Sequence, residues 1–252
     1  LLEDERDIVN DYLRNGGSAL FLIDPGTSNI NKLLNNWGVG VIEGTIVDPE
    51  RSASGDPRSP IVRRSQYNAE SPITKPLDDT FFTEVAAIAD IIVKAPEGLP
   101  LNPDQVNIAI TPLAFTSPYS CVTTNPDTSS CSGDDVVPGP HLIAAAVTAL
   151  APTGEDPVDF TPDTPIATIV VFGDSDFASN SFYYAFSNSD LFLNAVDWLT
   201  QNYELISIRA KPQAFRHLII TQREFDFIRY SSWFLLPTGV LLLAGIAWWR
   251  RR

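Results

Sequence analysis

The residues best suited to chemistry sit in one short run. Gly173-Asp174-Ser175-Asp176-Phe177 follows directly on the apolar stretch Ile166 to Phe172. A short apolar stretch with a polar exit reads as a buried strand. In open α/β sheets, ligands bind beyond the carboxyl ends of the strands. Asp174 and Asp176, with Ser175 between them, have the oxygen chemistry to hold Ca²⁺ or Mg²⁺. The same residue types also cap turns by accepting hydrogen bonds from nearby backbone amides, and that plainer reading is preferred here. Asp24 closes a second apolar run, SALFLID at 18–24, just before Pro25. The ligand-binding expectation is therefore a polar group of Asp24, Asp174, Ser175 and Asp176, with no metal and no cofactor assigned.

Other reaction classes lack their parts. An amidotransferase-type hydrolase needs a nucleophilic Cys at a sharp strand-to-helix turn with a His in reach. The sequence holds two cysteines, Cys121 and Cys131, and two histidines, His141 and His217. Both cysteines lie in SPYSCVTTNPDTSSCSGDD, whose Ser, Thr, Asn, Pro and Asp spell a loop away from any buried strand. Their spacing, without neighbouring ligand types, does not match a zinc site. A disulfide between them would close a short loop and contribute roughly 3 kcal/mol in the chain-entropy model. Two free thiols are the rival reading. The sequence contains no G-x-S-x-G and no G-x-x-x-x-G-K-[ST] motif. No catalytic residue is assigned, and the chain is expected not to be an enzyme.

These residues need elements to position them, and the elements follow from composition and periodicity. The chain has 252 residues, 44% of them hydrophobic, and a net charge of −14. The apolar fraction supports a folded core. The acidity argues against a nucleic-acid binder, which needs a basic face. From Tyr230 to Trp249, YSSWFLLPTGVLLLAGIAWW carries no charge. Twenty helical residues cover about 30 Å, the thickness of the hydrocarbon core. Its strongly apolar centre favours insertion by about 2–5 kcal/mol, and Pro and Gly are tolerated in spanning helices. Trp233 at one end and Trp248 and Trp249 at the other suit the interfaces. Arg250, Arg251 and Arg252 follow, against two basic residues, Arg223 and Arg229, on the other flank. The positive-inside rule then places the arginine end in the cytoplasm and the preceding domain outside it. A disulfide agrees with that oxidising side. The chain contains no Met and shows no signal peptide, and we expect it to be the C-terminal part of a longer or processed protein.

Residues 3–15 read as an amphipathic helix with an acidic first turn, ended by Gly16-Gly17. A strand over 18–24, a helix over Ile30–Trp37 and a strand over Val39–Val47 follow. That rhythm predicts an α/β fold with a largely parallel sheet. Residues 51–165 are proline-punctuated and are expected to be an irregular, insertion-rich middle, with Arg51, Arg58, Arg63 and Arg64 as a local basic patch. Strands are expected at 88–93, 106–110 and 142–150, and a short helix or strand within 80–89. Beyond the strand at 166–172, LFLNAVDWLTQ has helical spacing. ELISIRA (204–210) and HLIITQ (217–222) then read as a hairpin. The expected division is an extracytoplasmic domain over 1–222 and a juxtamembrane segment with a single spanning helix over 223–252.

Several segments in this order resemble a known family. They are DERDIVNDYLRNGGSALFLIDP (4–25), NKLLNNWGVGVIEGTIVDP (31–49), VVFGDSDFASN (170–180), NSDLFLNAVDWLT (188–200), ELISIRAK (204–211) and the terminal WWRRR (248–252). Together they are similar to the GldG-like family, the auxiliary component of a bacterial ABC-type transport system associated with gliding motility. The resemblance covers roughly 1–50 and 166–252. It implies a flavodoxin-like fold of the class I glutamine-amidotransferase group on a membrane anchor, and a further membrane segment preceding this domain. It also implies a role assisting a transporter without hydrolysing ATP. The expected partners are transporter permease and ATPase subunits, or another membrane complex, and the lipid bilayer, to which Trp233, Trp248, Trp249, Arg250, Arg251 and Arg252 anchor the chain. Gly239, Ala244 and Gly245 would permit close contact with a partner helix. The alternative function is an extracytoplasmic solute- or glycan-binding module.

Overall fold

A computed structural model describes residues 2–53, 55–90, 108–125, 127–133, 136–150, 165–201 and 222–251. The chain opens on α1 (Glu3–Arg14), with Glu3, Asp4 and Glu5 in the first turn and Arg14 in the last. Those charges oppose the helix dipole at both ends. Leu13 is buried, and Gly16 takes the left-handed conformation that turns the chain into β1 (Ser18–Leu22). The helix expected over 30–37 is one α-turn, α2 (Asn31–Leu34), between two 3₁₀ turns, and it stops at Gly38. The strand expected over 39–47 is broken in two. β2 (Val39–Val41) and β3 (Thr45–Val47) flank Gly44, which has φ +117°, where a Cβ would lie 2.7 Å from the Thr123 carbonyl oxygen. A backbone corner that only Gly fits sends the two halves into different sheets.

The middle is more regular than its prolines suggest. It contains β4 (Ser52–Ala53), β5 (Asp56–Val62), β6 (Thr80–Phe81), β7 (Ile88–Asp90), β8 (Ile108–Phe115), β9 (Cys121–Thr123), β10 (Val136–Pro138) and β11 (Leu142–Leu150). β4, β5 and β6 form one small sheet, and β10, β9 and β3 form another. β12 (Ile166–Phe172) and α3 (Asn188–Leu199) follow.

The principal sheet runs β1-β12-β11-β7-β2, with β8 also paired to β11. β1 and β12 are parallel, from Ser18 opposite Thr168 to Leu22 opposite Phe172. The β12–β11, β11–β8, β11–β7 and β7–β2 pairs are all antiparallel. The sheet is thus mixed, which corrects the largely parallel, flavodoxin-like expectation. Parallel neighbours need long crossovers, usually helical. Among the described residues, helices follow β1 and β12 but none lies between β8 and β11.

Both faces of this sheet are covered. Along β12, Val170 and Phe172 join a core that includes Phe82, Leu113, Phe177 and, from α3, Leu191 and Ala195. Ile169 and Val171 point the other way, into a core with Leu13 of α1 and Leu33 and Leu34 of α2. Alternate residues of one strand thus serve two cores, which explains why IATIVVF is nearly continuous in apolar character.

A separate helical run begins with α4 (Gln222–Tyr230), passes through a π-helical turn at Ser231–Leu235, and ends with α5 (Leu236–Arg250). Pro237 has no N–H for the ladder and its ring crowds the preceding turn. A π-turn just before it widens the helix where that crowding falls. Arg223–Arg250 is one helix long and apolar enough to cross a membrane, and the only such helix among the described residues. The hairpin expected over 204–210 and 217–222 lies outside the described residues, except Gln222, which begins α4.

Candidate functional site: carboxylates at the exits of β1 and β12

The parallel register of β1 and β12 carries both strands to the same edge. One step beyond the ladder, the Ile23 N–H donates to the Phe172 carbonyl at 2.9 Å. The next residues on each side are the predicted polar group, and the structure brings all four together. Asp24 Oδ1 accepts the Ser175 N–H at 2.7 Å and its Oδ2 accepts the Ser175 hydroxyl at 2.8 Å. Asp174 is fully buried. Its Oδ1 accepts the Asp176 N–H at 2.6 Å and its Oδ2 accepts the Thr83 N–H at 2.9 Å. Asp176 Oδ2 accepts the Thr83 hydroxyl at 3.3 Å. Gly173 donates to the Ile143 carbonyl at 2.9 Å and accepts from the Ala86 N–H at 2.6 Å. A Cβ at Gly173 would collide with the Ala86 carbonyl oxygen, so this approach needs glycine. Residues 83–86 are thereby stitched across the exit of β12.

Burial dominates the electrostatics. It pushes the Asp174 carboxyl up to about 7, against the pull of the Thr83 and Asp176 amides that favour the charged form. The nearby Asp176 and Asp24 carboxylates add repulsion in the same upward direction. Asp174 therefore carries its proton through mildly acid conditions, while both its oxygens serve backbone donors. Hard cations take six or more converging oxygens. Among the described residues no three His, Cys, Asp or Glu side chains gather to hold a metal. The contacts in place are those of turn capping. Asp24 and Asp176 are the exposed members of the group.

Two residues that matter here carry no readable signal of their own. Thr83 supplies the donors that bind Asp174 and Asp176 from 91 and 93 residues away in sequence. Asn188, fully buried at the start of α3, accepts the Phe81 N–H at 2.9 Å and donates to the Phe81 and Phe182 carbonyls at 2.8 and 3.0 Å. It mimics a strand neighbour for β6. Nothing in a polar residue at a helix start tells a distant strand end from an ordinary cap.

Elsewhere the predicted residues fall as follows. Cys121 and Cys131 are bonded, with their Cα atoms 5.6 Å apart. Cys121 is not in a loop: it is a fully buried residue of β9, between β3 and β10, so the bridge ties the loop back to a sheet. His141 is buried, with Nε2 2.9 Å from the Val137 carbonyl oxygen, and His217 lies outside the described residues. Two arginines of the patch are paired, Arg63 with Asp79 at 3.7 Å and Arg64 with Asp78 at 3.2 Å, while Arg58 reaches the Asn125 carbonyl at 3.5 Å. Trp233, Trp248 and Trp249 are exposed on the apolar helix, with Arg250 and Arg251 directly after. Arg252 lies outside the described residues.

A family model described as "ABC-type uncharacterized transport system", of the auxiliary class, matches residues 1–195. Among solved structures, the chain is similar to one described as "mmIFT52 N-terminal domain", with 17% identity and a TM-score of 0.50 over 79% of this chain and 72% of that one. At that identity the likeness concerns the fold alone. No curated protein matches the chain.

Proposed function

The chain belongs to this family of auxiliary components of ABC-type transport systems, and we propose that it acts as a membrane-anchored, non-enzymatic accessory subunit with its α/β domain outside the cytoplasm. The observation that carries the proposal is the coexistence of two features in one chain. A family match runs over residues 1–195, and one helix at 223–250 is long and apolar enough to span a bilayer. The Cys121–Cys131 bridge supports an oxidising location for the domain. The arginines after Trp249 support a cytoplasmic location for the far end of the helix. The non-enzymatic role is supported by the strand-exit carboxylates, whose oxygens serve turn amides and hydroxyls. The partners would be a permease and an ATPase subunit, met through the domain surface and through the small residues Gly239, Ala244 and Gly245. A link to gliding motility rests on the resemblance of the motifs alone.

A pull-down of the full chain in mild detergent, read by mass spectrometry, tests this. Stable recovery of a multispanning permease with an ATPase supports the transporter-accessory reading. Recovery of a different membrane assembly would replace it with a structural role in that assembly. The exposed carboxylates of Asp24 and Asp176 favour one second reading, a solute- or glycan-binding module. Recovery of no partner, together with ligand binding that Asp24→Ala and Asp176→Ala abolish, would favour that module.

A further inference from the structure

Charge along the helical run is strongly lopsided. At its start, Arg223, Glu224, Asp226 and Arg229 cancel, and Arg229 pairs with Asp226 at 3.2 Å. At its far end, Arg250 and Arg251 have no ion-pair partner among the described residues. The last acidic residue before them is Asp226. Along a helix that separation is about 36 Å, several times the Debye length of roughly 8 Å at physiological salt. The arginine charge is therefore not cancelled by this helix, on a chain whose net charge is −14. Beside it, Trp248 and Trp249 are 61% and 79% exposed. Indole rings of this kind settle at headgroup level. Guanidinium groups present planar forks that match phosphate oxygens.

We propose that the Trp248–Arg251 end of the helix is a binding site for anionic phospholipid headgroups. The arginines take the headgroup phosphates, and the paired tryptophans set their depth. The charge complementarity favours a net-negative headgroup over a zwitterionic one, because a negative leaflet attracts each basic residue in addition to the direct phosphate contact. The site would hold the far end of the helix in an anionic leaflet. The proposal rests on the membrane-anchored reading above.

The test uses the full chain reconstituted into phosphatidylcholine vesicles with 30% phosphatidylglycerol by design, in two preparations, one with brominated phosphatidylglycerol and one with an equal amount of brominated phosphatidylcholine. The Trp248 and Trp249 signal is obtained by subtracting that of a W248F/W249F variant. The expected result is about twofold stronger quenching by the brominated anionic lipid. The selectivity should vanish in R250Q/R251Q/R252Q, which still resists alkaline carbonate extraction. Equal quenching by both lipids in an inserted parent would overturn the headgroup site and leave the span intact. Selectivity that survives the triple substitution would overturn the arginine assignment. No quenching by either lipid, with release by carbonate, would overturn the site and the membrane anchor together.

Discussion

Asp174 has the oxygen chemistry of a cation ligand, and its oxygens are engaged by the backbone. It is buried, and both oxygens accept backbone N–H groups. Its acidity has a consequence for stability. The folded carboxyl holds its proton up to about 7, whereas an ordinary one releases it near 3.8. Between those values the native state binds more protons than the unfolded state, so stability falls as pH rises. The contribution is complete below the lower value and lost above the upper one. Thermal unfolding from pH 4 to 8 should show this decline, and Asp174→Asn should lack that part of the slope. The amide resonances of Thr83 and Asp176 should titrate together near the upper value. Gly173 permits a sharper prediction. A methyl group there meets the Ala86 carbonyl, so Gly173→Ala should destabilise the domain by about 2 kcal/mol or more, read as a lower denaturation midpoint. The Asp-Ser-Asp triplet and its strand-exit position were legible because an apolar run ended on it. Thr83 was not, because its part depends on a contact across 91 residues.

Elements were legible where one short stretch decided them. α1, β1, β12 and α3 lie close to their expected places because amphipathic spacing, glycine stops and unbroken apolar runs are local signals. The 39–47 stretch misled because apolar residues stand on both sides of Glu43-Gly44-Thr45, and only the approach of Thr123 shows that the chain turns into a second sheet there. Prolines misled in the other direction. β5 carries Pro57 and Pro60 yet forms a sheet with β4 and β6, as proline can in short or irregular pairs. The disulfide also belongs to this scale. Cys131→Ser should cost about 3 kcal/mol by freeing the loop that follows β9. The loss should appear in the denaturation midpoint of oxidised protein and be absent when parent and variant are compared under reductant.

For the whole molecule, the proposed topology makes a direct prediction. With the domain outside and the arginines inside, protease added to intact spheroplasts should digest the domain. A tag placed after Arg252 should be cut only once the membrane is permeabilised. The Cys121–Cys131 pair of protein taken from cells should resist maleimide until reduced. Digestion of the tag in intact spheroplasts, with the domain protected, would reverse the orientation and remove the argument from the bridge.

What the sequence determined by itself was whatever depends on neighbours in the chain. The charge-free stretch and its tryptophan and arginine flanks marked a helix long and apolar enough to cross a bilayer, because that property is decided by consecutive residues. The motif order marked the family, which the match over 1–195 shows. The nearly continuous apolar run of IATIVVF marked a strand buried on both faces. Tertiary structure alone decided strand direction, the partners of β3 and β9, and the closure of the carboxylate group by residues 83–86. Pairing direction follows from how the chain returns between strands, not from the side chains of the strand itself. The partner of a buried carboxylate is whichever donor the folded chain brings to it.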